Sequence, residues 1–419
     1  LPISQRGLLH VEDCGGCPQV TRKLALELIS EIEDAKRGVQ LNRISFEEEV
    51  QWMNQLISVH PILSGLPDWL KKRLVVEPAD WSHIPANRRQ RRTMRQEGFV
   101  LHLYSGDESG FTLKRSLKGQ GGRDRLLLEI DKKHGPAHDM EKDSGPYPSL
   151  LRAALEGKLL AVVGGPNCRS RSVLRHRPIE GQPDAPRPIR NWGGGEFGAS
   201  WANPRERAML REDDVLMWRM LFLFMVAEYT RKAQLKPDPV HLVLEQPASP
   251  KAYQPDVVSF WDTAEWQGLR KEFELKEVTF NQGKLGGLAP KPTTLGTTFD
   301  MSMEEFEMPP QQPERHVTSS KQLERWAPGL MNAISASIIK EVYKQSPQLK
   351  VLSWDEHVRF GHVPYRKDCF VCQQSAQQVF PHRKNPFPQP GVLALDTCGP
   401  LLPASDVGSW KCRYFLAGA

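Results

Sequence analysis

Cysteine is scarce in this sequence: seven among 419 residues, an odd number, unevenly placed. That excludes a disulfide framework as the organising device, and an intracellular reducing compartment is the expectation. The start lacks the basic and apolar pattern of a secretory signal. Long apolar runs are missing too. The most apolar one, Val215 to Ala227, is interrupted by Arg219 and falls short of the ~20 residues that cross a bilayer. It is expected as a buried core helix, with no membrane partner. Nor is there a strong excess of one charge: 56 Lys and Arg stand against 50 Asp and Glu, a net +6 with a pI near 8.9. Such mild basicity suits a nucleic-acid partner without demanding one. No internal repeat is found.

A chain of 419 residues and 47.5 kDa is too long for one ordinary core, and two to four folded units are expected. It begins at Leu1 without a methionine and ends at Lys411–Ala419, which reads as a strand cut in mid-fold, so both ends are expected to be cuts in a longer product.

Residues 1–94 read as a helical region with a basic linker. Val20, Leu24, Leu28 and Ile32 recur at helical spacing, and Ser45 with Glu48 forms a capping box ahead of Val50, Trp52, Met53 and Leu56. The basic run Arg88, Arg89, Arg91, Arg92, Arg95 suits either a phosphate grip or, more commonly, a solvated helix face. Over residues 95–300 the texture changes. Strand-like runs at Phe99–Tyr104, Leu126–Ile130, Leu159–Val163, Val240–Leu244 and Lys276–Phe280 alternate with helix-like segments, notably Pro148–Leu155 and Asp213–Lys232. That alternation predicts an α/β domain of three layers with a mostly parallel sheet. Pro178–Gly198 is an insertion rich in Pro, Gly and Arg. Residues 301–350 read as a linker around Pro309–Pro313 and a helix at about Ser320–Gln345. After them come a compact His/Cys segment at 351–382, a Pro-rich linker, and strand candidates within 388–419.

Four strand ends carry chemistry. Tyr104, Ser105, Gly106 and Gly110 make a glycine-bearing turn after the first strand, where the backbone can approach a cofactor closely. Glu129 and Asp131 end the second strand in carboxylates suited to ribose hydroxyls. Val162-Val163-Gly164-Gly165-Pro166-Asn167-Cys168 leads the third into a small-residue loop with one thiol, and Leu244-Glu245-Gln246-Pro247 puts a carboxylate at a fourth.

In this order the four resemble the cytosine-5 DNA methyltransferase family, over roughly Phe99 to Phe299. The resemblance implies a Rossmann-like methyltransferase domain that binds S-adenosyl-L-methionine through Tyr104, Ser105, Gly106, Gly110, Glu129 and Asp139. It implies Cys168 as the nucleophile and Glu245 as the group engaging the flipped base of DNA. Arg169 and Arg171, with Arg175, His176 and Arg177 beyond, are expected to lower the thiol pKa. The sequence departs from the family at Asn167, at Gln246-Pro247, and in Phe280–Gly286, where Lys284 stands in an arginine position.

Farther on, His357, His362, Cys369 and Cys372 supply two imidazoles and two thiols in a short span, a complete tetrahedral set for structural Zn2+. A third cluster, His10, Cys14 and Cys17, has no evident fourth ligand and is read as ordinary thiols. The order His, His, Cys, Cys resembles the zinc-binding N-terminal module of retrotransposon and retroviral integrases. Val392–Pro400 resembles the first strand of the integrase catalytic core, of RNase H-like fold. Asp396 then stands where that family holds Mg2+, and Trp410–Gly418 would be the second strand. A complete two-metal site needs further carboxylates, so integration is not expected from these residues alone.

The whole order resembles a copia-like retrotransposon polyprotein. That implies DNA and the rest of the element's polyprotein as partners, and the nucleus or a cytoplasmic virus-like particle as location. The alternative is a catalytically inactive methyltransferase fold serving as a nucleic-acid-binding or assembly module.

Overall fold

The computed structural model describes residues 46–106, 111–176, 186–287, 290–308, 324–344, 396–398 and 415–417. Four short helices come first: α1 (Phe46–Val59), α2 (Pro61–Ser64), α3 (Asp68–Leu74) and α4 (Arg88–Glu97). The α/β body follows as β1 (Phe99–Leu103), α5 (Leu113–Gly119), β2 (Leu127–Ile130), α6 (Tyr147–Leu155), β3 (Leu159–Gly164), α7 (Pro204–Ala233), β4 (His241–Pro247), α8 (Ala264–Glu272), β5 (Lys276–Asn281) and β6 (Pro292–Thr297). A last helix, α9, spans Pro328–Ser337.

Six strands form one sheet in the order β2-β1-β3-β4-β6-β5. The first four are mutually parallel, and β6 runs antiparallel to both β4 and β5. The expected mostly parallel sheet with helices is therefore present. The five foreseen strands appear at or within a few residues of their expected bounds, while β6 was not foreseen. Its sequence, Pro-Thr-Thr-Leu-Gly-Thr, starts with proline and holds one large apolar residue, so it shows no period-2 pattern.

Strand side chains alternate between two apolar clusters on opposite sheet faces. Phe99, Leu101 and Leu103 join one with α6 and α7; Val100, Val243 and Leu295 join the other with α5 and α9. The helix α7 opens with a capping box, Asn203 with Glu206, and has Pro204 in its first turn. From Leu210 to Glu228 most of its side chains are buried. The run Val215–Ala227 is buried in it as expected, and the interrupting Arg219 is wholly buried too. Its guanidinium donates to the carbonyls of Arg73, Met140 and Glu141 and pairs with Asp143, which leaves no uncompensated charge.

The N-terminal helices are part of the same core. Met53, Leu63, Leu70 and Leu74 lie in the cluster that holds α6 and α7, and the Tyr147 hydroxyl donates to the Leu74 carbonyl at 2.7 Å. The helix expected within 301–350 likewise packs on α5: Leu330, Ile334 and Ile338 share a cluster with Leu113 and Leu117, and Asn332 accepts from Ser116 at 2.7 Å. The insertion is less irregular than its composition suggests, since Ile189 is fully buried and Arg190 nearly so.

Near the C-terminus Asp396–Cys398 and Phe415–Ala417 pair as two antiparallel strands, with Asp396 opposite Ala417. They fall within the two strand candidates read there. Residues 1–45, the remainder of 345–419, and with them His357, His362, Cys369 and Cys372, lie outside the described residues. Among the described residues no helix is long and apolar enough to cross a membrane.

Candidate functional site

The parallel register brings the motif residues to one edge. Leu103 is level with Ile130 and with Gly164, and Gly164 with Leu244. The next residue on each strand therefore starts the carboxyl edge: Tyr104, Asp131, Gly165 and Glu245. From β1 the chain runs outward to β2, then crosses back to β3 on the other side of β1. That reversal is a topological switch point, the place where open α/β sheets bind ligands.

On the β1–β2 side the chain turns sharply. Tyr104 takes a left-handed conformation, φ 59°, and is held by its hydroxyl donating to the Leu216 carbonyl at 2.6 Å. Gly106 follows at φ 79°, with no atom of the described residues within 4 Å of where a Cβ would lie. Its amide donates to the Asp131 carboxylate at 2.9 Å. The Ser105 hydroxyl is buried without a partner among the described residues. Glu129 is mostly buried and lies 3.4 Å from His102 Nδ1. Burial alone would raise its pKa, but the His102 bond and charge and the Lys114 amide outweigh it, and the carboxyl is held below its usual range. Asp139 accepts from the Glu141 amide at 3.0 Å and faces Lys142 at 3.6 Å, so its carboxylate steadies its own loop. Gly110 lies outside the described residues.

The β3–β4 side is crowded. Glu245, nearly buried, meets Lys291 Nζ at 3.0 Å, Gln282 Nε2 at 3.3 Å and Trp326 Nε1 at 3.2 Å. A Cβ on Gly165 would stand 2.7 Å from the Glu245 carboxylate and 3.1 Å from Trp326 Nε1, so only glycine fits between them. Gln246 donates to the Pro166 carbonyl at 2.7 Å, which clamps the thiol loop to β4. The Trp326 ring lies 5.2 Å from that of His102 and thus stands between the two halves of the edge.

The basic residues after Cys168 do not serve the thiol as expected. Arg169 is taken by Glu212 and Asp213, Arg171 by Asp214, and Arg175 by the carbonyls of Arg169 and Arg187. Burial and the nearby Glu245 and Asp213 carboxylates, against Lys291, push the Cys168 thiol up to about 11 rather than down. Lys284, which departs from the family's arginine, faces Glu307 at 3.7 Å, and the cation that meets Glu245 is Lys291. Burial would lower the Lys291 pKa, yet Glu245 and Cys168 hold it raised.

Sequence reasoning missed Lys291, Gln282, Trp326, His102 and the Asp131–Gly106 bond. Gln282 was legible as part of Phe280–Gly286. For Lys291 and Trp326 no local signal existed, because they reach Glu245 only through β6 and the chain before α9. Among the described residues no cluster of three or more His, Cys, Asp or Glu could hold a metal. Compared with known proteins, the chain matches no family model, and no curated protein matches its sequence.

Proposed function

We propose that the α/β body is an S-adenosyl-L-methionine-dependent cytosine-5 DNA methyltransferase, carried in a retrotransposon polyprotein ahead of an integrase zinc module. One observation carries the reading: Cys168 and Glu245, far apart in sequence, follow adjacent strands to the same carboxyl edge, within electrostatic reach of each other and of Lys291, which pairs with Glu245. Cytosine carbon 5 is a weak nucleophile. Addition of the Cys168 sulfur at carbon 6 makes the ring electron-rich at carbon 5, and Glu245 engages the pyrimidine edge while Lys291 balances its charge. The target base must leave its stack to reach such a site.

The β1–β2 side suits the cofactor. Among the described residues, the space beside Gly106 and the Ser105 hydroxyl without a partner, with the ionised Glu129, offer a close backbone approach, a hydrogen bond and a carboxylate for ribose. When bound, S-adenosylmethionine supplies the methyl group. The donor chemistry of His357, His362, Cys369 and Cys372 fits tetrahedral Zn2+, and Asp396 would hold Mg2+ only within a complete integrase core.

A second reading, a catalytically silent module, is favoured by the thiol pushed up to about 11, which leaves little thiolate at neutral pH. The test is incubation of the chain with S-adenosylmethionine and duplex DNA containing 5-fluorocytosine. A covalent adduct lost in Cys168→Ala is expected. Folded protein that forms no adduct while binding the DNA would replace the enzyme by the silent module.

A further inference from the structure

Two loops leave the carboxyl edge beside the candidate nucleophile, one from Cys168 to the start of α7 and one from Gln246 to the start of α8. Several contacts tie them together. Trp192 Nε1 donates to the Pro255 carbonyl at 3.1 Å, Gln254 Nε2 to the His176 carbonyl at 3.4 Å, and the Arg171 guanidinium lies 5.5 Å from the Phe260 ring centre. On the rim so formed, two large aromatic side chains face solvent: Trp192 is 37% exposed and Tyr253 70%. Trp192 bonds to the carbonyl two residues past Tyr253, which brings the two aromatic-bearing loop segments together.

Solvent exposure of two aromatic rings on a rim costs hydrophobic free energy that burial would recover. The backbone beneath Trp192 is built with care: Gly193 and Gly194 both take positive φ, and their amides each donate to Glu196 at 2.9 Å. This turn is anchored by Arg190, which pairs with Asp214 and donates to Ser170, two residues past Cys168. The turn that carries Trp192 is therefore fixed to the thiol loop. Lys251, 73% exposed and 4.0 Å from the Asp262 carboxylate, stands two residues from Tyr253, and exposed Arg205 lies in the first turn of α7. Aromatic faces interleaved with cations suit a strand whose bases are unpaired, because rings stack on bases while cations meet phosphates.

We propose that Trp192 and Tyr253 form a base-stacking rim for single-stranded DNA at the mouth of the Cys168–Glu245 site. It deepens the methyltransferase reading by naming where the nucleotides flanking an extruded base are held, and rests on that reading for the choice of DNA.

The test measures fluorescence anisotropy of a labelled DNA single strand of about 20 nucleotides with the full chain at fixed salt. Trp192→Ala and Tyr253→Ala are each expected to weaken binding about 5- to 150-fold, the ~1–3 kcal/mol of one stacked base. Trp192→Phe and Tyr253→Phe should restore most of it, a rescue that lost charge or misfolding would not show. Leu235→Ser, at a 70% exposed apolar position between α7 and β4, should change nothing. Unchanged binding in both alanine variants, absence of rescue by phenylalanine, or no binding by the wild-type chain would overturn the rim. Ring-dependent binding without the 5-fluorocytosine adduct would keep the rim and reject the methyltransferase, so the two failures are distinguishable.

Discussion

The two halves of the carboxyl edge are built on opposite plans. Among the described residues the β1–β2 half is shaped by backbone: a left-handed tyrosine, an open glycine and a hydroxyl without a partner. The β3–β4 half is filled by side chains, with three donors converging on Glu245 and every arginine after Cys168 in the described loop already engaged. An edge shaped by backbone keeps polar groups that side chains have not satisfied. An edge filled with paired charges is already organised, and its balance breaks when one member is removed.

The largest expected effect lies on the filled side. Lys291→Met leaves Glu245 buried and unpaired and should cost about 3–5 kcal/mol, read as a lower urea midpoint at unchanged slope. Lys291→Arg should recover most of that loss. A loss under about 1 kcal/mol for the methionine variant would mean that Glu245 is solvated and that the halves differ less than their contacts imply.

Next in size is thiol reactivity. Burial and Glu245 push Cys168 from 9.0 to about 11, so at neutral pH its thiolate fraction is about 100-fold below that of an ordinary thiol. The sign follows directly: alkylation by iodoacetamide should be slow at pH 7.5 and climb as pH approaches 11. Glu245→Gln removes one charge that raises the thiol and should speed alkylation at any fixed pH. A rate already level below pH 8 would break the comparison, because the thiolate would then exist without substrate.

The smallest effect belongs to the open side. Ser105→Ala deletes a hydroxyl with no partner among the described residues and should change stability by no more than about 0.5 kcal/mol. It should weaken S-adenosylmethionine binding about 2- to 10-fold by calorimetry, the net worth of ~0.5–1.5 kcal/mol for one hydrogen bond. Equal binding by both proteins would remove Ser105 from the cofactor turn.

The places of the first five strands along the chain and the strand-end positions of Tyr104, Gly165 and Glu245 were legible because each of these motif-bearing runs is followed closely by glycine or a carboxylate. Helix α7 was legible as buried from Val215–Ala227, although its first two turns were not, despite the Asn203–Glu206 capping box. β6 was illegible since threonines next to proline carry no face preference, and with it went Lys291. The Arg169 and Arg171 prediction failed for a related reason. Sequence neighbours supply charge, but Asp213 and Asp214, more than forty residues on, decide where that charge is spent.

By itself, the sequence determined the alternation of strand and helix, the buried α7, and which strands end in reactive side chains, because these follow from local periodicity and residue type. Tertiary structure alone decided that β3 returns beside β1, that Glu245 faces Lys291 and Trp326, and that the Cys168 thiol is raised. Each of these depends on groups distant in the chain meeting in a low-dielectric space, where desolvation and pairing outweigh anything a neighbour in sequence can dictate.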